Sequence, residues 1–524
     1  MNIMLTRKTS ISLSGMSKIM KKKHSVSTMN SCLWFLLSLA CGSTYAANEA
    51  KNVIFFLGDG MGPVTVTAAR IYKGEKQLAA EPGSLSSSER AELTMQSFRN
   101  AARIKTFSND AQTTDSAPSM AAYMTGVKAN NEVISMSADT QAYTTTGEQY
   151  ISGEDSTCAP DNGQRAKTLL ELSKAAGRSV GAVSTTRVGH ATPAATYAHI
   201  CNRNGYNTIA EQSVPGNANY NSELGDGLDV LMGGGQRNYL PKSVNPSSKR
   251  SDNQNLVSAM ESVGYTYVDN GTQLRNLDTG SVNKLLGLFA QSEMAYELDR
   301  VNQNLDQPSL AEMAEKALEV LSRNDNGFFL MVEGGRIDHA LHGSNAKRAL
   351  EDTLAMDAAI QSVLTFMEAK DPGLKNTLIV VTADHDHSIA FNGYGKLGNP
   401  ILGKVYDYQN GELAKAADGK PYTALVFGNG GRPNASASSQ INVEDNNAAW
   451  VAPARGAERE DLTDVDTTQD NFLQEVGINL GTPGSETHAG GDVMLYAGGA
   501  GSQIFRGTMD NTKVFFKVKE AAGL

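Results

Sequence analysis

The chain has 524 residues, of which 19% are charged and 40% are hydrophobic, and its formal net charge is -10. This length is sufficient for a large buried core, and the composition is that of an ordinary soluble globular protein. The acidic balance argues against nucleic acid as a partner and leaves no basic face for an anionic membrane surface.

Residues 1–46 are predicted to form a signal peptide. Lys21–Lys23 precede the apolar run Cys32–Ala40, and small residues follow this run up to Ala46. The run is too short to span a bilayer. Cys41 offers a competing lipoprotein interpretation, although the residues before it match the lipoprotein pattern poorly. We therefore expect an exported protein, periplasmic or secreted, without a transmembrane segment.

Cys158 and Cys201 are the cysteines that remain once the signal peptide is removed. A pair of cysteines in an exported chain favours one disulfide bond. Two separate thiols are an equally acceptable interpretation of the sequence, which leaves the pairing open.

Uninterrupted apolar runs predict the strands of a buried sheet. They cover Asn52–Leu57, Ser179–Ser184, Phe328–Val332 and Thr377–Thr382, and Met494–Ala497 is predicted as a late strand. Apolar runs without alternation are typical of a parallel sheet that is covered on both faces.

Helical patterns lie between these strands. They cover Leu169–Ala176 and Leu310–Leu321, and Ser344 is predicted to cap a further helix that carries Leu350 to Met367. The alternation of strands and helices predicts an α/β fold with three α/β/α layers around a central, mostly parallel sheet. In such sheets, ligands bind beyond the carboxyl ends of the strands.

Residues 394–483 differ in composition from the rest of the chain. They are rich in Gly, Asn, Ala and Ser and show weak periodicity, which favours a surface insertion or small subdomain. The predicted organisation is therefore a core over residues 47–393, an insertion over 394–483, and a return to the core over 484–524.

Potential metal ligands follow each of the first four predicted strands. In chain order they are Asp59, His190, Thr192, Glu333, Asp338, His342, Asp384 and His385. Because the ends of parallel strands lie along one edge of a sheet, we expect these side chains to converge. A single Asp or His is more often a solvated loop residue, but recurrence at four strand ends argues against that interpretation for the set.

The spacing of these residues adds detail. Asp338 and His342 are four residues apart, so on a helix they share one face and can bind one metal ion. Asp384 and His385 are adjacent, so both can be ligands only if they lie on a turn. The mixture of imidazoles, carboxylates and a hydroxyl suits zinc beside magnesium.

Ser116 is the candidate nucleophile. A helix is predicted to begin near it, with Pro118 in the first turn. Ser116 would then lie at a helix N-terminus, where free backbone N–H groups and the dipole attract anions. A nearby metal ion could lower the pKa of the hydroxyl, so a histidine base is not required. Taken alone, Ser116 is more often an ordinary N-cap serine.

Arg203 is the candidate oxyanion ligand. It lies in the segment Cys201–Asn204, and its planar guanidinium could bind two oxygens of one anion. Taken alone, such a residue is more often a surface arginine.

Together these residues resemble the alkaline phosphatase family along nearly all of the chain that follows the signal peptide. Asp338 and His342 contribute to the resemblance, and its continuous stretches are Phe55–Gly62, Thr114–Ala117, Thr125–Lys128, Thr186–Ala194, Val332–Gly334, Thr382–His385 and Glu486–His488. Their order and spacing make the resemblance specific. It implies the α/β/α fold and the hydrolysis of phosphate monoesters at alkaline pH.

The resemblance also implies residue roles and cofactors. Ser116 would become phosphorylated, and Arg203 would hold the phosphoryl oxygens. Two zinc ions and one magnesium ion are implied. The ligands would be Asp338, His342 and His488 for one zinc, Asp59, Asp384 and His385 for the other, and Asp59, Thr192 and Glu333 for magnesium. The insertion before His488 resembles a crown-like loop that contributes to dimer contacts in some members, so a homodimer is expected.

His190 and His339 stand at positions where the family varies, since some members have Asp and Lys there. We expect them to tune the charge near the magnesium site or the phosphate. His199 and His387 have no role that the resemblance supplies, and structural contacts are expected for both.

Other functions compete with this one. A sulfatase is suggested by Ser116–Ser119, but Met120 occupies the place of the arginine in the sulfatase motif. A phosphodiesterase of the same superfamily is a further alternative. A non-catalytic metal- or phosphate-binding protein would have no reason to combine Ser116, Arg203 and both sets of zinc ligands.

Overall fold

The computed structural model describes residues 49–430, 459–480 and 485–524. The predicted signal peptide, residues 1–46, lies outside the described residues, as do parts of the predicted insertion. None of the helices in the described part of the chain combines the length and the apolar character needed to cross a membrane.

The strands are numbered in chain order over the described residues. They are β1 (Asn52–Gly58), β2 (Asn100–Lys105), β3 (Ile151–Ser152), β4 (Asp155–Ser156), β5 (Ser179–Arg187), β6 (Val230–Gly234), β7 (Tyr265–Val268), β8 (Lys284–Leu288), β9 (Phe328–Gly334), β10 (Thr377–Ala383), β11 (Asp386–His387), β12 (Ile389–Phe391), β13 (Leu425–Gly430), β14 (Glu475–Asn479), β15 (His488–Ala489), β16 (Val493–Gly499) and β17 (Gly507–Asp510).

The α-helices are numbered in the same way. They are α1 (Pro63–Ala80), α2 (Ser116–Thr125), α3 (Leu169–Ala175), α4 (Ala191–Tyr197), α5 (Tyr206–Gln212), α6 (Gln236–Tyr239), α7 (Leu256–Ser262), α8 (Gly271–Arg275), α9 (Glu297–Asn302), α10 (Leu310–Leu321), α11 (Arg336–His342), α12 (Ala346–Lys370) and α13 (Asn511–Ala522).

The main sheet has ten strands in the order β17-β2-β16-β10-β1-β9-β5-β6-β8-β7. Every neighbouring pair is parallel except the two pairs that contain β16, so this strand alone runs against the others. Helices α10 and α12 pack against each other and against the sheet, and α3 and α4 form a second such group. The predicted three-layer α/β fold with a mostly parallel sheet is confirmed.

The predicted strands are present, with bounds that differ from the prediction by up to three residues. Each of the four core strands β1, β5, β9 and β10 is almost wholly buried, as expected for apolar runs without alternation. Removing this much apolar surface from water is the main stabilising contribution to such a core.

The predicted cap of helix α12 was wrong by one residue. Ser344 has a backbone φ of 52°, which places it before the helix in the left-handed region. Asn345 is the cap, and its side chain accepts a hydrogen bond from the N–H of Arg348. Both residue types cap helices well, so only the backbone conformation decides between them.

Strands β12, β13 and β14 form a separate three-stranded sheet outside the main one. Residues 394–424, which precede β13, contain short turns and isolated bridges and no regular helix or strand. The described residues 394–430 and 459–480 are called the peripheral segment below.

Candidate active site

The predicted site residues lie at the ends of neighbouring strands. The order β10-β1-β9-β5 places four parallel strands side by side, so their carboxyl ends share one edge of the sheet. Asp59 follows β1, Glu333 is the penultimate residue of β9, and Asp384 follows β10. This adjacency is what brings residues hundreds of positions apart into one site.

Ser116 is the first residue of α2 and is buried at the same edge. Its Oγ lies 3.3 Å from Asp59 Oδ1 and 3.2 Å from His385 Nε2. The interpretation of Ser116 as the N-cap is wrong, because Asp115 caps the helix by accepting a hydrogen bond from the N–H of Ala117. The Ser116 hydroxyl is therefore directed at the site rather than at its own helix.

Two further side chains of α2 fix this helix to the end of β10. Ser119 Oγ donates to the carbonyl oxygen of Asp384 at 2.6 Å, and Tyr123 Oη donates to that of Ala383 at 2.8 Å. Both donors are buried. The helix that carries Ser116 is thus tied to the backbone that carries Asp384.

The first potential metal group contains Asp338, His342, His387 and His488. His342 and His488 each direct Nδ1 at a backbone carbonyl, of Glu486 at 2.6 Å and of Thr114 at 2.8 Å. Their Nε2 atoms lie 3.0 Å apart, and each is 3.4 Å from Asp338 Oδ1. Because Nδ1 donates to a carbonyl, the Nε2 lone pairs point toward one another and toward Asp338.

His387 is the member of this group that sequence reasoning assigned to structural contacts. Its Nε2 lies 2.7 Å from Asp338 Oδ1, and its Nδ1 lies 2.6 Å from Glu486 Oε2. Burial would lower the pKa of His387, but the two carboxylates raise the pKa to about 10. Both ring nitrogens are directed at carboxylate oxygens, so His387 orients Asp338.

The sequence carried a signal for this contact. In extended backbone, residues two apart point to the same face, so His385 and His387 are expected on one side. Glu486 belongs to a stretch that resembles the alkaline phosphatase family, and only the tertiary structure shows that it contacts His387.

The second potential metal group contains Asp59, Asp384 and His385. His385 Nε2 lies 3.3 Å from Asp59 Oδ1 and 3.5 Å from Asp384 Oδ2. Asp384 lies at a bend after β10, as the adjacency of two candidate ligands required. Its Oδ1 accepts hydrogen bonds from the N–H groups of Gly60 and His385, each at 3.0 Å.

The third potential metal group contains Asp59, His190 and Glu333. Glu333 Oε2 accepts hydrogen bonds from Ser184 and, at 3.2 Å, from Thr186. Glu333 Oε1 and the Thr192 hydroxyl are buried and make no hydrogen bond of normal geometry, although the nearby hydroxyl still favours the charged form of Glu333.

Four buried oxygens that lack a hydrogen bond lie at this edge. They are Asp59 Oδ2, Thr192 Oγ1, Glu333 Oε1 and Asp384 Oδ2. Buried polar atoms are normally hydrogen-bonded, and buried charges are normally paired or coordinate metals. The donor set therefore fits divalent cations.

The electrostatics of the edge support the same conclusion. Burial and the charges of Asp384, Asp338 and Glu333 raise the pKa of Asp59 well above its usual value. Burial also raises the pKa of Glu333 to about 8. For His342, burial lowers the pKa to about 4, so its ring is neutral as a metal ligand must be. Cations would relieve the mutual repulsion of these carboxylates.

Arg203 lies on a loop beside Ser116. Its Nη1 is 3.3 Å from Asp115 Oδ1, and its Nη2 is 2.7 Å from His190 Nε2. Since a guanidinium only donates, His190 Nε2 accepts this hydrogen bond. The guanidinium is thereby positioned next to the residue that caps the helix of Ser116.

His339 lies near His190, and the two rings make an edge-to-face contact at 5.5 Å. Arg336 Nη1 lies 2.6 Å from His339 Nδ1. The two predicted tuning positions are therefore in contact with each other, and each ring faces an arginine.

A model of the alkaline phosphatase family matches residues 50–524 of this chain. The chain belongs to the alkaline phosphatase family. It is 38% identical over 495 residues to the tissue-nonspecific alkaline phosphatase isozyme of Rattus norvegicus, and the aligned region covers 89% of this chain and 82% of the relative. It is 37% identical over 494 residues to the alkaline phosphatase of Gadus morhua, with 90% and 91% covered. The present chain is therefore a phosphate-monoester hydrolase of a metal-dependent family, and it has groups of residues able to bind metals.

Solved phosphatase structures share the fold. Thermus thermophilus alkaline phosphatase is 27% identical with a TM-score of 0.62, covering 91% of this chain and 92% of that one. A cold-active alkaline phosphatase from Shewanella sp. has a TM-score of 0.58 over 90% of this chain and 99% of its own, and at 22% identity it supports the fold alone.

Proposed function

We propose that this phosphatase hydrolyses phosphate monoesters at alkaline pH through a phosphoserine at Ser116, with two zinc ions and one magnesium ion. The observation that carries the proposal is the position of Ser116 Oγ, 3.3 Å from Asp59 and 3.2 Å from His385, beside the three potential metal groups. A hydroxyl so placed can attack a phosphorus atom held over the same edge.

Zinc is proposed for the first two of the three potential metal groups. Asp338, His342 and His488 would hold one ion, and the Nε2 lone pairs that face Asp338 support this set. Asp59, Asp384 and His385 would hold the other, and the unpartnered Oδ2 atoms of the two aspartates support it.

Magnesium is proposed for the oxygens of Asp59, Thr192 and Glu333. His190 lies in the same group, but its Nε2 lone pair is directed at Arg203 Nη2. The proton must then lie on Nδ1, so neither ring nitrogen offers a lone pair to a metal ion. We therefore propose that His190 sets the position of Arg203 and the charge around it. His339 would act on His190 through the contact between the two rings.

The proposed reaction has two displacements at phosphorus. In the first, the Ser116 hydroxyl gives its proton to water, Oγ bonds to phosphorus, and the ester P–O bond breaks as the leaving oxygen takes up a proton. In the second, a water molecule attacks the phosphorus of phosphoserine, the P–Oγ bond breaks, and Ser116 regains its proton as inorganic phosphate leaves. Arg203 donates to the nonbridging oxygens throughout. Bound zinc would lower the pKa of the attacking hydroxyl and stabilise charge on the leaving oxygen.

Export and dimerisation are further parts of the proposal. The predicted signal peptide would direct the chain to the periplasm or the medium, where the Cys158–Cys201 disulfide of the structure is chemically stable. The domain boundaries stay as predicted, with residues 394–483 as a crown-like insertion. Its described residues include the exposed side chains of Tyr394 and Tyr408, which are suited to a homodimer contact.

The alternative activities receive less support. Met120 takes the place of the sulfatase arginine, and its thioether has neither the charge nor the N–H donors with which an arginine binds a sulfate group. A non-catalytic phosphate-binding protein would not require a hydroxyl directed at the metal groups.

The test is hydrolysis of an aryl phosphate at alkaline pH by the wild type and by Ser116→Ala, with acid quench and mass spectrometry of the peptide that contains Ser116. We expect a phosphorylated serine in the wild type and a loss of activity of about a thousandfold or more in the variant. Metal analysis should find about two zinc ions and about one magnesium ion per chain. Unchanged turnover in the variant, or active protein without zinc, would overturn the proposal.

A further inference from the structure

The loop that carries Arg203 is bound to a segment that precedes it in the chain. The Arg203 loop comprises Ala198–Gly205, between α4 and α5, and the hairpin arm comprises Ala142–Cys158. The arm pairs with itself through the Tyr143–Gln149 bridge and through strands β3 and β4. It is therefore a defined substructure in contact with the loop.

The arm contacts the loop on both sides of Arg203. Asn202 Nδ2 donates to the carbonyl oxygen of Ala142 at 3.2 Å. Asn204 Nδ2 lies 3.3 Å from Gln149 Oε1. The residues immediately before and after Arg203 are thus both held by the arm.

The disulfide bond Cys158–Cys201 closes this arrangement at the other end of the arm. It joins the last residue of the arm to the residue two positions before Arg203, with the Cα atoms 6.0 Å apart. Cys201 is buried, so the loop is held from the protein interior as well.

The far strand of the arm is also bound to α5, which begins just after the loop. The N–H of Asn207 donates to the carbonyl oxygen of Glu154 at 2.9 Å, and that of Ser156 donates to Thr208 Oγ1 at 2.9 Å. Movement of the arm would therefore move both ends of the Arg203 loop.

Arg203 itself is bound to residues outside the arm, so the arm can act on it only through the backbone of the loop. Its backbone N–H donates to the carbonyl oxygen of Glu132 at 2.8 Å. Its guanidinium contacts the side chains of Asp115 at 3.3 Å and of His190 at 2.7 Å. A phosphoryl group must displace or share these contacts. A long side chain binds an anion well only when its backbone is held in place, because ordering it costs conformational entropy.

We propose that the hairpin arm and its disulfide position Arg203 for binding the phosphoryl oxygens. The arm acts through Arg203 and does not itself touch the reacting atoms. The inference rests on the proposed function, in which Arg203 binds phosphate, and it adds a specific prediction: loss of the arm's attachment weakens phosphate binding only when Arg203 is present.

The experiment compares C158S/C201S with the wild type, in the presence and absence of Arg203→Ala. KM and kcat for an aryl phosphate and the Kd of inorganic phosphate by calorimetry are measured on the metal-loaded enzyme. We expect the double serine variant to raise KM and the phosphate Kd about tenfold, with kcat within about twofold of wild type. In the Arg203→Ala background, the same serine substitutions should change the phosphate Kd by less than about twofold.

Asn204→Ala serves as a second variant if the serine pair fails to fold, since it keeps the disulfide and removes the contact with Gln149, together with the side-chain contacts of Asn204 with Glu132 and Tyr206. It should raise the phosphate Kd by about threefold in the wild-type background alone. Thr146→Ala is the matched control, because Thr146 Oγ1 bonds Thr144 within the arm. This control should leave both constants unchanged.

Equal effects of the serine substitutions with and without Arg203 would overturn the inference, and so would an unchanged phosphate Kd in folded C158S/C201S. An Arg203→Ala variant that binds phosphate as tightly as wild type would instead overturn the proposed role of Arg203. The two failures are therefore distinguishable.

Discussion

The sheet edge that carries the candidate active site differs from the peripheral segment in whether its charged groups are paired with groups of opposite charge. At the edge, Asp59, Glu333 and Asp384 are fully buried, and burial raises the pKa of each carboxyl. The charge of Asp384 raises the pKa values of Asp59 and Glu333 further. In the peripheral segment, charges are paired, as in the contacts of Arg459 with the exposed Asp418 at 2.9 Å and with the buried Glu475 at 2.6 Å.

The two regions also differ in how they are held. The edge residues are fixed by the hydrogen-bonded ends of parallel strands. The peripheral segment is held by single side chains that bind the backbone, such as Lys404, whose Nζ donates to the carbonyl oxygens of Leu462, Thr463 and Val465 at 2.8, 2.9 and 3.1 Å. The difference teaches that buried carboxylates are grouped together where chemistry is proposed, whereas Asp418 and Glu475 of the peripheral segment are paired with an arginine.

Removal of divalent cations should have the largest effect. We expect chelation to lower activity by about a thousandfold and to lower the melting temperature, because the buried carboxylates then repel one another without compensation. Activity assays, calorimetry and metal analysis before and after dialysis against a chelator provide the check. Readdition of zinc and magnesium is the control, and activity in demonstrably metal-free protein would contradict the contrast between the two regions.

Lys404→Met should act on the peripheral segment alone. It removes three charged hydrogen bonds to partly solvated carbonyls, so we expect a loss of about 2 kcal/mol in the free energy of unfolding and faster proteolysis near residue 463. The kcat should be unchanged. Lys415→Met, which alters an exposed lysine of the same segment, is the matched control. A fall in kcat for Lys404→Met would show that the two regions are coupled.

Glu75 connects α1 to the peripheral segment, since its Oε1 accepts a hydrogen bond from the N–H of Ile401 at 2.6 Å. Burial raises the pKa of Glu75 to about 7. A carboxyl whose pKa is higher in the folded state favours folding when protonated. That contribution is present below the unfolded pKa and is lost as the pH rises through 7.

Glu75→Gln should therefore stabilise the protein at pH 8. Since the carboxyl is partly solvated, we expect about 1 kcal/mol at pH 8 and little change at pH 4.5. Unfolding in denaturant at the two pH values measures the difference. Glu92→Gln, at an exposed position, should show no such pH dependence, and equal effects at both pH values for Glu75→Gln would refute the assignment.

Tyr394→Ser should have the smallest effect on the single chain. The residue is 81% exposed, so the free energy of unfolding should change by less than about 0.5 kcal/mol. If the peripheral segment forms the proposed dimer contact, sedimentation velocity should show more monomer for this variant. Phe516→Ser, at an exposed position of α13, is the control and should leave the oligomeric state unchanged.

Much of the central sheet followed from the sequence. The strands β1, β5, β9 and β10 were predicted because buried parallel strands are continuous apolar runs. Strands β2, β6, β7, β8 and β17 were not predicted, and the antiparallel direction of β16 was not foreseen. Short strands carry a weak local signal, and strand direction depends on the path of the chain between strands.

Much of the site was predicted in the same way, with specific omissions. Ser116, Arg203 and the candidate ligands were identified by residue type and position, and the structure brings them to one edge. The structural contact expected for His387 is present, but its partners, Asp338 and Glu486, are distant in sequence and could not be named from it. The N-cap interpretation of Ser116 failed because Asp115 competes for the same backbone groups.

The sequence by itself determined the chemistry available to this protein, because the identity of each proposed ligand and of the proposed nucleophile is a property of single residues next to recognisable strands. The family resemblance was equally a property of local stretches. Only the tertiary structure decided that β10, β1, β9 and β5 are neighbours, that Cys158 pairs with Cys201, and that His190 faces Arg203. These contacts join residues far apart along the chain, and they depend on how whole elements pack rather than on any local pattern.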